Sequence, residues 1–206
     1  MKRKRQQLLI VLSLFLSAFF VTQADARQAK ITNITVTNSA EELLMFSFLQ
    51  DGFSHEIEEV IRSGVTTTFS FQIQLHRKLS FWFDKKIASR VVSHTVKYDL
   101  LKGIYEFFDS SDNSGPKTTK DFEELKEWMA EIKGLSLGPF SMLTPGEEYY
   151  MKIKATMKSI QLFFPLNYLL FFVSFFDFDT PWSASSSFVV DRSPRGERII
   201  VFNKPL

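Results

Sequence analysis

Three histidines, His55, His76 and His94, are the residues of this 206-residue chain best suited to acid–base or metal chemistry. An imidazole titrates near neutrality and can act as general base or metal ligand. Zinc sites usually pair such residues at short spacing, but no second histidine lies three to five positions from any of these, and HExxH does not occur. Cysteine is absent altogether, which excludes disulfides, thiolate nucleophiles and cysteine-ligated zinc. His55 opens a helical pattern and His76 falls on the polar side of a strand, so both read as surface residues. His94 is in phase with Val92, Val96 and Tyr98 on the core-facing side of a strand. It reads as a buried group hydrogen-bonded to a neighbour. To serve as the base of a hydrolase it would need an open cleft and a carboxylate, with Asp84 or Asp99 as the sequence candidates. His94, Tyr98 and Asp99 form the candidate buried polar site.

Other chemistry is thin. Asp177-Phe178-Asp179-Thr180 invites comparison with the DxDxT nucleophile motif of haloacid-dehalogenase-like phosphatases. The spacing rejects it, because Thr180 follows Asp179 directly and only 27 residues remain, where that motif opens a long α/β domain. No GxSxG setting and no glycine-rich phosphate loop occurs among the eight glycines. Glu56, Glu58 and Glu59 crowd a helix start, where negative charge is favourable. Asn33-Ile34-Thr35 is a formal glycosylation sequon on a strand. No catalytic residue, metal or cofactor is expected.

The elements that would position these residues are mostly strands. Over Thr66 to His76, Phe69, Phe71, Ile73 and Leu75 alternate with polar partners, and residues 147–158 repeat the pattern from Tyr149 to Met157. Arg90 to Tyr98 is a third strand, and Leu43 to Leu49, apolar on both faces, a more central one. Weaker strands are expected at 30–37, 103–108, 184–190 and 198–202. Two helices interrupt them. Ser54 caps 55–63, which stops at Gly64, and Asp121 with Glu124 caps 121–133, which stops at Gly134. Residues 109–119 read as a polar surface loop. Many short strands with only two helices predict a mainly β fold, an antiparallel β-sandwich of immunoglobulin-like general architecture.

The chain opens with a different pattern. Lys2, Arg3, Lys4 and Arg5 precede an apolar run of 14 residues from Leu8 to Val21, and Ala24-Asp25-Ala26 gives a small-x-small cleavage pattern. This is the form of a secretory signal peptide, and the run is short for a membrane span. The expected organisation is a signal peptide at 1–26, one domain at 27–190 and a tail at 191–206, a peripheral strand or disordered. A leader left uncleaved would tether the protein to the membrane. The leader carries +3 of a whole-chain charge of +2, so the remainder carries −1 and nucleic-acid binding is not expected.

Residues 162–178, LFFPLNYLLFFVSFFDF, concentrate the aromatic content. They read either as a helix or strand buried against the sandwich or as an exposed wedge for a bilayer surface or a partner's groove. On the second reading Phe171, Phe172, Phe175 and Phe176, with Trp182, form an interaction surface.

The segments DGFSHEIEEVIRSGVTTTFSFQIQLHR, WFDKKIAS, HTVKYD, TKDFEELKEWMAEIKG and FPLNYLLFFVSFFDFDTPW together resemble an uncharacterised family of exported bacterial proteins, domain of unknown function 4390. The likeness runs from about Ala29 to about Val190. The resemblance implies a periplasmic location in proteobacteria or their relatives and an accessory role beside membrane sensor kinases. It carries no functional residues. The function expected is therefore that of a non-enzymatic periplasmic protein that binds another envelope protein, with peripheral membrane contact. A carrier of small apolar ligands, with a pocket between the sheets, is the alternative; a His94-dependent hydrolase comes last.

Overall fold

Alternation becomes strand geometry where one side of the pleat finds a core. A computed structural model describes residues 28–39, 41–81, 83–159, 178–192 and 198–202. Strands β1 (Lys30–Asn38) and β2 (Glu42–Gln50) lead into helix α1 (His55–Arg62). Then come β3 (Thr67–Arg77), β4 (Lys85–Asp99), β5 (Ile104–Asp109) and the short β6 (Lys117–Thr119). Helix α2 (Phe122–Ala130) passes directly into β7 (Glu131–Pro139), and a 3-10 turn at Phe140–Met142 precedes β8 (Glu148–Ser159). The described chain closes with β9 (Phe178–Asp179), β10 (Ser183–Ala184), β11 (Phe188–Arg192) and β12 (Arg198–Phe202). The leader and the aromatic residues Phe171, Phe172, Phe175 and Phe176 lie outside the described residues.

Every pairing is antiparallel. A small sheet has the order β1-β2-β7, and a large one runs β12-β11-β8-β3-β4-β5-β6, with β9 and β10 also on β8. Neither closes into a barrel, and the two pack in a sandwich-like arrangement around one core. The fold is mainly β, as the alternation predicts. At its centre β3 and β8 pair with Phe71 opposite Ala155 and Ile73 opposite Ile153. Phe69, Phe71, Ile73, Leu75, Met151 and Ile153 are fully buried there, each worth about 1.5–3 kcal/mol on leaving water. Leu43, Met45 and Leu49 of β2 meet the same core from the other sheet.

Helix α1 follows its expected capping. Ser54 Oγ accepts from the Ile57 N–H, Ile57, Val60 and Ile61 face the core, and the chain turns at Gly64, whose φ is +86°. Phe53, just ahead of the cap, packs on Phe69 and Phe122 at 5.1 and 6.2 Å between ring centres.

Helix α2 departs from expectation at both ends. Asp121 caps it through the Glu123 N–H at 2.9 Å, while Glu124 Oε2 accepts from the Thr119 hydroxyl at 2.5 Å instead of closing a capping box. The helix stops at Ala130, not at Gly134, and residues 131–139 form a strand. Ile132 and Leu135, three apart, look helical in sequence. In the sheet they face Ser47 and Met45, only two apart, so Lys133 and Gly134 together oppose Phe46. That is a β-bulge with glycine at the left-handed position, φ +62°, and it keeps both apolar side chains on the core face. Likewise, residues 117–119 of the expected polar loop pair with β5.

The edge of β8 is covered by one interrupted strand. β9, β10 and β11 pair successively with residues 157–156, 153–152 and 149–148 of β8. At the two gaps hydroxyls continue the ladder. Thr180 Oγ1 accepts from the Ala155 N–H at 2.9 Å and Ser185 Oγ from the Met151 N–H at 3.0 Å. The expected tail contributes Asp191 and Arg192 to β11 and then β12, a peripheral strand.

Candidate functional site

His94 stands on β4 directly opposite Asp109 on β5. Its ring lies between Phe71 and Phe107, at 5.0 and 5.4 Å between centres, and the residue is only 2 % exposed. Nδ1 is 3.0 Å from the carbonyl oxygen of Met129 in the last turn of α2. A carbonyl only accepts, so Nδ1 carries the proton and Nε2 presents a lone pair. The helix end has unpaired carbonyls, and His94 satisfies one of them from across the sandwich.

Nε2 faces the Asp109 carboxylate at 3.7 Å, longer than a hydrogen bond. Burial pushes the imidazole below its ordinary pKa, against the smaller opposing effects of the Met129 carbonyl and the Asp109 charge. His94 is thus neutral at neutral pH. Asp109 is fastened elsewhere, since its Oδ1 accepts from both the N–H and the hydroxyl of Ser111 at 2.7 Å. His94 and Asp109 themselves line a cleft of about 400 Å³, with Ser111, Arg90, Lys117 and Glu131 among its other walls. A general base must reach its proton. Here the imidazole packs on two phenylalanines at the wall of the cleft, nearly fully buried and committed at Nδ1, and the Ser111 hydroxyl bonds to the carboxylate. The Nδ1–H bond ties β4 to the last turn of α2.

The expected cluster of His94 with Tyr98 and Asp99 does not form. Four or five residues along a strand separate them by roughly 13–17 Å. Tyr98 is half-buried and packs on Tyr105 at 4.5 Å between ring centres. Asp99 shapes the β4–β5 turn, accepting from the Leu101 and Lys102 N–H groups at 3.0 Å each, with Lys102 Nζ at 3.1 Å. These contacts hold its carboxyl below the ordinary range. Asp84 is also distant from His94, at the opposite end of β4. The carboxylate that sequence reasoning missed is Asp109, and the signal was the hairpin register about the turn at 100–103.

His55 is exposed at the start of α1, 3.3 Å from Glu59. His76 bonds to Gln74 at 3.0 Å and stacks on Tyr150, and burial with nearby Lys152 lowers its pKa. Asp179 is exposed and pairs with Lys154 at 2.7 Å. Among the described residues no group of three acidic or histidine side chains could hold a metal, and no helix is long and apolar enough to cross a membrane. The large side chains Phe69, Phe71, Tyr149 and Phe188 are fully buried in the core.

Of the expected interaction surface only Trp182 is described, 42 % exposed in the gap between β9 and β10. Other apolar side chains reach solvent at the β3–β4 turn (Phe81, Phe83), the β4–β5 turn (Leu100, Leu101) and β12 (Ile199, Val201, Phe202). Beside β12 lies an open groove of about 760 Å³ bounded by Asn38, Glu41, Pro139, Phe140, Arg198 and Ile199.

A family model described as a domain of unknown function, DUF4390, matches residues 26–186. The chain belongs to the DUF4390 family. No curated protein and no solved structure matches it. The His94–Met129 bond and the β3–β4 turn lie within the DUF4390 match, whereas β12 lies beyond it.

Proposed function

We propose that this chain is an exported, non-enzymatic binding protein of the bacterial cell envelope, with an accessory role towards another envelope protein. A membrane sensor kinase is the candidate partner. The exported location rests on the leader sequence, and the non-enzymatic reading on the low exposure of His94 and the commitment of its Nδ1 to Met129. The observation that carries binding is β12. It is the last described strand of the large sheet, pairs on one side with β11, and bears Ile199, Val201 and Phe202 partly in solvent. Such an edge offers backbone groups for strand addition, and its apolar side chains reward a partner strand. The groove beside it gives that partner's side chains a place to lie.

The test is capture from detergent-solubilised envelopes with the protein as bait, comparing wild type with Ile199→Lys/Val201→Lys. Two lysines placed in the apolar centre of such an interface bury unpaired charge, which weakens binding by at least about tenfold. Loss of one specific envelope protein with the variant, its fold unchanged by circular dichroism, is the expected result. Equal recovery of that protein by both baits refutes the assignment.

A further inference from the structure

We infer that the β3–β4 turn is a membrane-contacting tip, which inserts Phe81 and Phe83 into the interface of an anionic bilayer. The two phenylalanines, on either side of Trp82 in the sequence, are 93 % and 98 % exposed, so no described part of the chain covers them. The turn does not fold back to hide them, because its base is fastened by polar groups. Asp84 Oδ1 accepts from the Leu79 N–H at 3.2 Å, and Oδ2 accepts from the Tyr150 hydroxyl at 2.6 Å. The Lys78 N–H donates to the Glu148 carbonyl at 2.8 Å.

Cations cluster at the strand ends that flank the turn. At the base of the turn Lys85 and Lys86 pair opposite Arg77 and His76, and Lys152 lies near Asp84, while Glu147 and Glu148 face Arg77 and Lys78. Arg77 and Lys78 are matched with Glu147 and Glu148 at 3.8 and 3.1 Å. With Asp84 set against Lys152, the surplus positive charge resides on Lys85 and Lys86, both exposed. A convex apolar tip with a cationic collar has the chemistry of an interfacial anchor, with rings among the acyl chains and ammonium groups at lipid phosphates. The tip does not depend on the β12 contact proposed above, and failure of either leaves the other standing.

Because the chain has no cysteine, one introduced thiol reports one place. An environment-sensitive fluorophore on Ser80→Cys sits beside Phe81. The same fluorophore on Leu101→Cys sits on a residue that is 99 % exposed, at the other end of β4. The labelled proteins, in the N-terminal form recovered from the envelope, are mixed with phosphatidylglycerol–phosphatidylethanolamine vesicles carrying nitroxide-labelled acyl chains. Any tether at the N-terminus is common to both, so the contrast between positions reads the tip alone. The fluorophore at position 80 should shift to the blue and be quenched, and that at 101 should not. Phe81→Ser/Phe83→Ser should weaken vesicle binding at position 80 by at least about tenfold, and Lys85→Gln/Lys86→Gln should weaken it on anionic vesicles in a salt-sensitive way. Equal responses at positions 80 and 101, no quenching at 80, or a response that survives the double serine change overturns the proposal. So does a response at 80 to solubilised envelope protein but not to vesicles, which would make the tip a protein contact.

Discussion

Replacing His94 with leucine tests the structural tie quantitatively. At about pH 7.5 the wild-type imidazole is neutral and its Nδ1–H satisfies the Met129 carbonyl at the end of α2. Leucine keeps apolar volume between Phe71 and Phe107 but leaves that carbonyl without its donor, which costs about 1–3 kcal/mol. The pH dependence follows from the direction of the shift. Burial puts the folded-state pKa of His94 below the roughly 6.5 of the unfolded chain, so between those values the unfolded state binds the additional proton. The stability is fully present above about pH 6.5 and is lost as the pH falls towards the folded value, by at most about 1.4 kcal/mol per pH unit for one histidine. His76 is shifted in the same direction and adds to the wild-type slope. His94→Leu retains only the contribution of His76, so its deficit relative to wild type should narrow on acidification. Urea unfolding at about pH 7.5 and about pH 5.5 measures both quantities. A gap that stays constant or widens, or a wild type more stable at the lower pH, would refute the assignment of a buried neutral histidine.

Thr180→Val should lose about 1–3 kcal/mol, because the Ala155 N–H loses its hydroxyl acceptor in a buried gap of the sheet; Thr180→Ser should lose much less, and equal urea midpoints would contradict this. Gly134→Ala forces an L side chain into φ +62° with the Phe46 ring about 3.6 Å from the added carbon, at a cost of about 1–2 kcal/mol. A neutral effect on thermal stability would remove the bulge from the account of β7. Burial, reinforced by the Asp84 carboxylate, pushes the Tyr150 hydroxyl up to about 12. In an ultraviolet titration Asp84→Asn should bring one tyrosine part of the way back towards 10; an unchanged titration would break the link between the β3–β4 turn and β8.

The fold was legible where one period ran unbroken. β3 and β8 alternate over a full strand, and both their faces and their extents follow from Phe69 to Leu75 and Tyr149 to Met157. Helix α1 was equally clear, because cap, apolar face and stop agree. β7 was hidden by its bulge, which spaces Ile132 and Leu135 as a helix would and lets the preceding helical pattern run on through Gly134. β6 was hidden by composition, since Lys117-Thr118-Thr119 offers no apolar face and pairs through its backbone alone. At the site, phase alone placed His94 on the core side. Its partner required the hairpin register, and Asp99 was favoured because it is near in sequence although a strand carries it away. Phe81 and Phe83 carried no signal of their own in the sequence; their exposure follows from a turn that no described residue covers.

The central claim is that this chain binds through its apolar edges while its buried polar groups hold the fold. Quantitative capture of the envelope partner by His94→Leu and by Ile199→Lys/Val201→Lys, side by side and with folding verified, tests it most directly. The account predicts capture undiminished in the first and reduced at least about tenfold in the second. Capture abolished by the folded His94 variant and intact with the β12 variant would contradict it.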